Sequence, residues 1–307
     1  MLDKKTLKSA ATGDLETLAN LDSRGFIMGE KESLGDFVKR LNCLKKNMEE
    51  MNKSLKAEGF FEIEGSRFSL DSQIPSKLFK TPAQKTEELY RFSIDWVPGF
   101  FVNPSFGWLF GGCAFYFFPD FFALFIIRKS FQNKERWLIY SRDELLAHEL
   151  CHIARIGMKK RKFEEYFAYQ TSSSSFRKAV GSVFQTAGDT YLILLSTMLL
   201  LGAQISKVFI GLPVPVWLFW IFVFLCISRL ALRYRKIKKT ISSATENLKK
   251  TFENNTLPVL FRCTEKEIDA LSKMLKKDSV TNWVNNKMQN SIKWKIIKKR
   301  FSKRSVE

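Results

Sequence analysis

Two stretches of the chain, residues 190–206 and 208–228, contain no charged side chain, and only Lys207 separates them. Each is about the 20 residues that an α-helix needs to cross the hydrocarbon core of a bilayer. Gly211, Pro213 and Pro215 lie between the two apolar centres and supply the chemistry of a tight turn. The second centre, VWLFWIFVFLCI, has no polar face, whereas a helix buried in a soluble core usually keeps one. The expectation is a transmembrane helical hairpin within residues 188–232.

Charge orients such a hairpin. The 307 residues carry 50 Lys+Arg against 31 Asp+Glu, a net charge of +19. Arg155, Lys159, Lys160, Arg161, Lys162, Arg177 and Lys178 precede the hairpin, and Arg229, Arg233, Arg235, Lys236, Lys238 and Lys239 follow it. Residues 233–307 alone hold 20 Lys/Arg and 7 Asp/Glu. By the positive-inside rule both flanks, and with them both termini, are expected on the cytoplasmic side of an integral membrane protein. The positive charge then has an anionic lipid surface to meet. No nucleic-acid-binding motif accompanies it, so nucleic acid is not an expected partner. Residues 1–22 are charged throughout and lack the apolar centre of a secretory signal. The five cysteines are irregularly spaced and read as free thiols of a reducing compartment.

Outside the hairpin the pattern is α+β and predominantly helical. Residues 1–95 form a polar, helical N-terminal region, in which Leu34, Phe37, Val38, Leu41 and Leu44 recur at helical spacing. Residues 74–82 read as a connection. The uncharged, Phe-rich run 99–119 is long enough to span a membrane. A single crossing there would place the basic segments before and after it on opposite sides, so a buried or monotopic region is preferred. Within it, residues 114–118 and 121–127 read as two strands about a Pro119-Asp120 turn, and residues 135–140 as a short third strand. A helix is expected over 144–155, then a basic turn at 159–162 and a second helix from about Phe163. The basic C-terminal region, residues 233–307, includes a helix over 265–276 with Ile268, Leu271 and Leu275 on one face.

The chain has two histidines, and both fall in one five-residue string, His148-Glu149-Leu150-Cys151-His152. Positions i and i+4 of a helix lie one above the other, so two imidazoles can ligate one zinc ion with Glu149 beside them as general base. A catalytic zinc needs a third protein ligand and an open position. With no third histidine, that ligand is a carboxylate, or else a Cys; Glu164 and Glu165 stand at the start of the next helix. Cys151 reads as a small packing residue. Asp143 and Glu144 are candidates to orient a ligand histidine, or Asp143 to cap the helix.

H-E-x-x-H followed by a helix bearing E-x-x-A, here Glu165-Tyr166-Phe167-Ala168, resembles the gluzincin metallopeptidases over roughly residues 120–170. A membrane hairpin just after the motif is nearest in layout to the HtpX-like membrane endopeptidases, although Tyr169 stands where those carry Asp. The resemblance implies a zincin-like catalytic core over residues 96–180, a small sheet packed on the zinc helix, and Zn²⁺ held by His148, His152 and Glu165. It implies Glu149 as the catalytic base, an oxyanion donor among Tyr140, Arg155, Tyr166 and Tyr169, and an edge strand that pairs with substrate. The partner implied is a peptide or protein substrate, hydrophobic or membrane-associated in character. The other reading is a non-catalytic membrane scaffold with a degenerate zinc site.

Overall fold

The structure, a computed structural model, describes residues 2–103, 111–117, 122–138, 140–158, 162–274 and 277–302. It is 67% helical, with small sheets.

The N-terminal region contains α1 (Lys4–Ala11), α2 (Leu15–Ser23), α3 (Leu34–Glu58) and α4 (Lys80–Tyr90). Polar caps start the first three: Asp3, Asp14 and Ser33 accept from the backbone N–H of Thr6, Thr17 and Asp36. α3 buries Phe37, Leu41, Leu44, Met48, Met51 and Leu55, the stripe legible in the sequence, and Gly59 at φ 76° ends it. A hairpin follows, β1 (Phe60–Ile63) and β2 (Ser66–Ser69), turning on Glu64 and Gly65, both at positive φ. Residues 74–82, expected as a connection, already hold the start of α4. Pro82 sits in its first turn, where a missing N–H breaks no helical bond.

The Phe-rich region supplies β3 (Gly99–Val102), β4 (Gly112–Phe117) and β5 (Phe122–Arg128). The sheet order is β3-β5-β4, with β3 parallel and β4 antiparallel to β5. All of β5 is buried, as the apolar run that precedes its terminal Arg128 suits in a central strand. The described part of 99–119 is therefore sheet, not a third membrane span. Residues 104–110 and 118–121, the latter including the expected Pro119-Asp120 turn, lie outside the described residues. Residues 135–140 are not one strand but a tight hairpin, β6 (Arg136–Trp137) with β7 (Tyr140–Ser141), with Leu138 at φ 49° in its turn.

Three helices follow: α5 (Arg142–Ala154), α6 (Glu164–Tyr169) and α7 (Ser175–Gly181). Of the expected basic turn only Lys162 is among the described residues; it bonds Asp269 at 2.8 Å. α8 (Ala187–Phe209) and α9 (Val216–Phe252) form the hairpin, turning at Gly211 with φ 74°. Both are long and apolar enough to cross a membrane. Their outward apolar side chains, Met198, Leu201, Trp217, Trp220 and Phe224 among them, are exposed. At 37 residues α9 is about 55 Å long, far more than a ~30 Å hydrocarbon core requires. Its second half instead buries Ile237, Ile241, Ala244, Leu248 and Phe252 at helical spacing.

The chain closes with α10 (Thr256–Phe261), α11 (Glu265–Lys273), α12 (Lys277–Asn290) and α13 (Ile292–Phe301). The expected helix over 265–276 ends at Lys273, with Ile268 and Leu271 buried, and Leu275 lies outside the described residues. Buried apolar side chains from Leu2 to Phe301 form one contiguous cluster. A buried ion cluster ties its two ends: Arg262 Nε donates to Asp22 at 2.8 Å, and Arg300 donates to the same carboxylate.

Candidate metal centre

α5 begins after Ser141 and packs against β4 and α6. Its core face, Leu146, Leu150, Ile153 and Ala154, is fully buried, which fixes the rotation of the helix. That rotation turns His148 and His152 toward α6, one turn apart. α6 is too short to be stable alone. It is held by Phe167, whose ring packs edge-on to Tyr90 and Phe261 and whose carbonyl accepts from the Tyr90 hydroxyl at 2.6 Å. This anchoring presents Glu165 to the two histidines.

His148 Nε2 and His152 Nε2 lie 3.1 Å apart. Glu165 places Oε2 3.5 Å from the first and Oε1 3.5 Å from the second. Zinc bonds of about 2.0–2.2 Å in tetrahedral array put neighbouring ligand atoms about 3.3–3.5 Å apart. The three side chains could therefore hold one metal ion. Among the described residues, they form the one such group of His, Cys, Asp or Glu whose ligand atoms lie within 4.8 Å of one another. The donor set, two imidazoles and a carboxylate, is one that zinc takes in hydrolytic sites.

Glu164 has a different place from its neighbour. Its Oε1 accepts from Arg155 Nε at 2.8 Å, and its Oε2 lies 3.8 Å from His152 Nδ1. It faces the ring nitrogen away from the cluster, where a carboxylate orients a ligand histidine. Burial pushes its carboxyl up, but the Arg155 charge and the His152 contact outweigh this and hold it below the usual range. Burial alone would lower His152, yet Glu164, Glu149 and Glu165 together raise it to about 9. His148 is held well below its ordinary value by burial and by the charges of His152 and Arg177.

Glu149 is buried beside the cluster, and its Oε2 accepts the Ala114 backbone N–H at 3.0 Å. Burial pushes its carboxyl up to about 7. Ala114 lies on β4, the end strand of the described sheet. Arg128 N–H donates to Gly111 at 2.9 Å, and in this antiparallel register the backbone groups of Gly112, Ala114 and Tyr116 then point away from β5. β4 packs closely on β5 here: a Cβ on Gly112 would lie 2.7 Å from Ile127 Cγ2 and 2.8 Å from the Ile126 carbonyl.

A cavity of about 290 Å³ opens beside His148 and Glu149, walled by Gly112, Tyr140, Tyr169 and Arg177. The Tyr169 ring stands edge-on to His148 at 4.6 Å, and burial pushes its phenol up to about 12. Of the four oxyanion candidates, Tyr140 and Tyr169 line the cavity. Arg155 is turned away to Glu164 and to the carbonyls of Phe261 and Cys263, and Tyr166 packs against Phe167. Asp143 and Glu144 do not orient a histidine. Asp143 pairs with Arg142 at 3.4 Å, and the cap position is Ser141. Glu144 accepts from Ser172 at 3.0 Å, from the Ser173 N–H at 2.8 Å and from Arg177 at 2.5 Å. Cys151 is fully buried in the core.

Sequence reasoning missed the Ala114 N–H, the Glu164–Arg155 pair and the Glu144–Arg177 pair. The Gly111-Gly112 doublet was a signal for a close backbone approach. In the sequence Arg177 reads only as juxtamembrane charge. Comparison with protein-family models, curated proteins and solved structures finds no match to this chain.

Proposed function

We propose that the chain is a membrane-anchored, zinc-dependent endopeptidase of gluzincin type, with its active site on the cytoplasmic side. The observation that carries this reading is the convergence of His148, His152 and Glu165 within 4.8 Å, beside a buried Glu149. A zinc ion at these three residues would polarise a peptide carbonyl and acidify a water in its open position. Glu149 takes the proton of the attacking water and returns it to the leaving amine. The phenols of Tyr140 and Tyr169, on the cavity wall, are the available donors to a developing oxyanion. β4 is the end strand of the described sheet, and an extended substrate would align its backbone along it by strand addition. The apolar hairpin and its basic flanks support a cytoplasmic site next to the bilayer and a hydrophobic or membrane-associated substrate.

Glu149→Gln tests the reading. It keeps the shape and one acceptor oxygen for the Ala114 N–H but removes the base, so proteolysis of casein should fall by at least about 10²–10⁴-fold with zinc still bound. Unchanged activity in the purified variant refutes it. Purified chain holding well under one zinc, with no uptake on titration, favours the non-catalytic scaffold instead.

A further inference from the structure

α7 has two faces with different surroundings. On one face Phe176 and Val180, spaced i and i+4, are 72% and 40% exposed. Arg177, beside them on the helix, turns to the candidate site: it bonds Glu144 at 2.5 Å and lies 6.0 Å from the Tyr140 ring. At the end of the helix Gly181 packs so closely on Tyr169 that an added Cβ would fall within 2.2 Å of its ring. Five residues after α7 the first hairpin helix begins. Its base is fastened by Arg233 of α9, which donates to Asp189 at 2.5 Å and to the Val183 carbonyl at 3.2 Å. Tyr191, in the second turn of α8, is 69% exposed.

We propose that the outer face of α7 is a lipid-contact surface, with Phe176 and Val180 seated at the headgroup–acyl boundary of an anionic leaflet. The bilayer would thereby steady the wall formed by Arg177 and Tyr169. A lone exposed apolar pair says nothing of what covers it. Here the occupant follows from continuity: two residues beyond α7 the Val183 carbonyl accepts from Arg233 at the base of the hairpin, so the face ends beside a helix whose own apolar surface needs lipid. The inference rests on the membrane-anchored reading above, not on its chemistry.

The test uses the full chain in phosphatidylglycerol/phosphatidylcholine vesicles. Phe176→Trp adds one indole at the proposed contact, and Lys46→Trp adds one at an exposed site on α3 as the control. The fluorescence added at 176 should be quenched by lipids brominated near the headgroup end of the acyl chain and spared by acrylamide, with the reverse for the control. Quenching at 176 by acrylamide alone, in protein that resists alkaline carbonate extraction, overturns the lipid contact but leaves the hairpin intact. Protection from both quenchers means that protein covers the face, and also overturns it. Release of the unsubstituted chain by carbonate overturns the membrane reading and this contact together.

Discussion

Glu164 and Glu165 are neighbours of identical chemistry, and the geometry assigns them opposite consequences when each is changed to Gln. Glu165 has a side chain 25% exposed, and its carboxylate lies 3.5 Å from both imidazole Nε2 atoms. Glu165→Gln removes a charged ligand and leaves a neutral amide in a partly solvated place. Zinc should be lost, and the midpoint of thermal unfolding of the zinc-free chain should move little. Glu164→Gln acts differently. Arg155 is 3% exposed and has Glu164 as its ion-pair partner, its remaining bonds being to the carbonyls of Phe261 and Cys263. Removing one member of a buried pair costs about 3–5 kcal/mol, and the oxygen that Gln retains puts the expectation near 3. For a chain of this size that is on the order of 5 °C in the unfolding midpoint. Because Glu164 lies behind His152 Nδ1, zinc affinity should also weaken, by about 10–100-fold or roughly 1.4–2.8 kcal/mol. Zinc competition against a chromophoric chelator, with thermal unfolding of zinc-free protein, reads both quantities. Full zinc retention in Glu165→Gln together with complete loss in Glu164→Gln would refute the assignment of the third ligand. Equal midpoints in the two variants would refute the burial argument for Arg155.

Gly112→Ala should push β4 off β5, costing about 1–3 kcal/mol of stability and disturbing the Ala114–Glu149 contact; proteolysis should fall with zinc retained, and a variant as active and stable as the parent contradicts the close packing. Glu267 accepts from Lys293 at 2.6 Å and from Trp294 Nε1 at 2.7 Å. Burial raises its carboxyl, but the Lys293 charge and these bonds prevail and hold it below the ordinary value. Its contribution to stability is therefore present above the unfolded glutamate value of about 4.3 and is lost as pH falls through the lower folded value. Denaturant unfolding across that window should show a shallower acid limb in Glu267→Gln, and an unchanged slope would exclude the linkage. Asp22→Ala should destabilise by about 3–5 kcal/mol because it strands Arg262, which is fully buried; a loss below 1 kcal/mol in chemical unfolding would contradict that.

Patterns with a short period were readable from the sequence. The stripe of α3, the apolar run of β5 and the two hairpin helices follow from side-chain spacing, because helix and strand repeat every 3.6 and 2 residues. The segment 135–140 was misread for the same reason. Its apolar residues suit a strand, and only the pairing of Trp137 with Tyr140 reveals a turn between them. The histidines declared themselves at i and i+4, but the role of each neighbouring carboxylate depended on contacts more than 100 residues away. Arg155 reaches the carbonyls of Phe261 and Cys263, and that reach draws Glu164 behind His152 and leaves Glu165 in front.

The sequence by itself determined the helical hairpin, the H-E-x-x-H face of α5, and the narrowing of a third ligand in any zinc site there to a carboxylate or a Cys, since each is a matter of residue type and local spacing. The tertiary structure decided which carboxylate meets the histidines, which tyrosines border the cavity, and that the second half of α9 leaves the apolar span to pack in the same core as α3 and β5. Those outcomes come from long-range packing and from the pairing of buried charges, whose partners are far apart along the chain and carry no local periodicity.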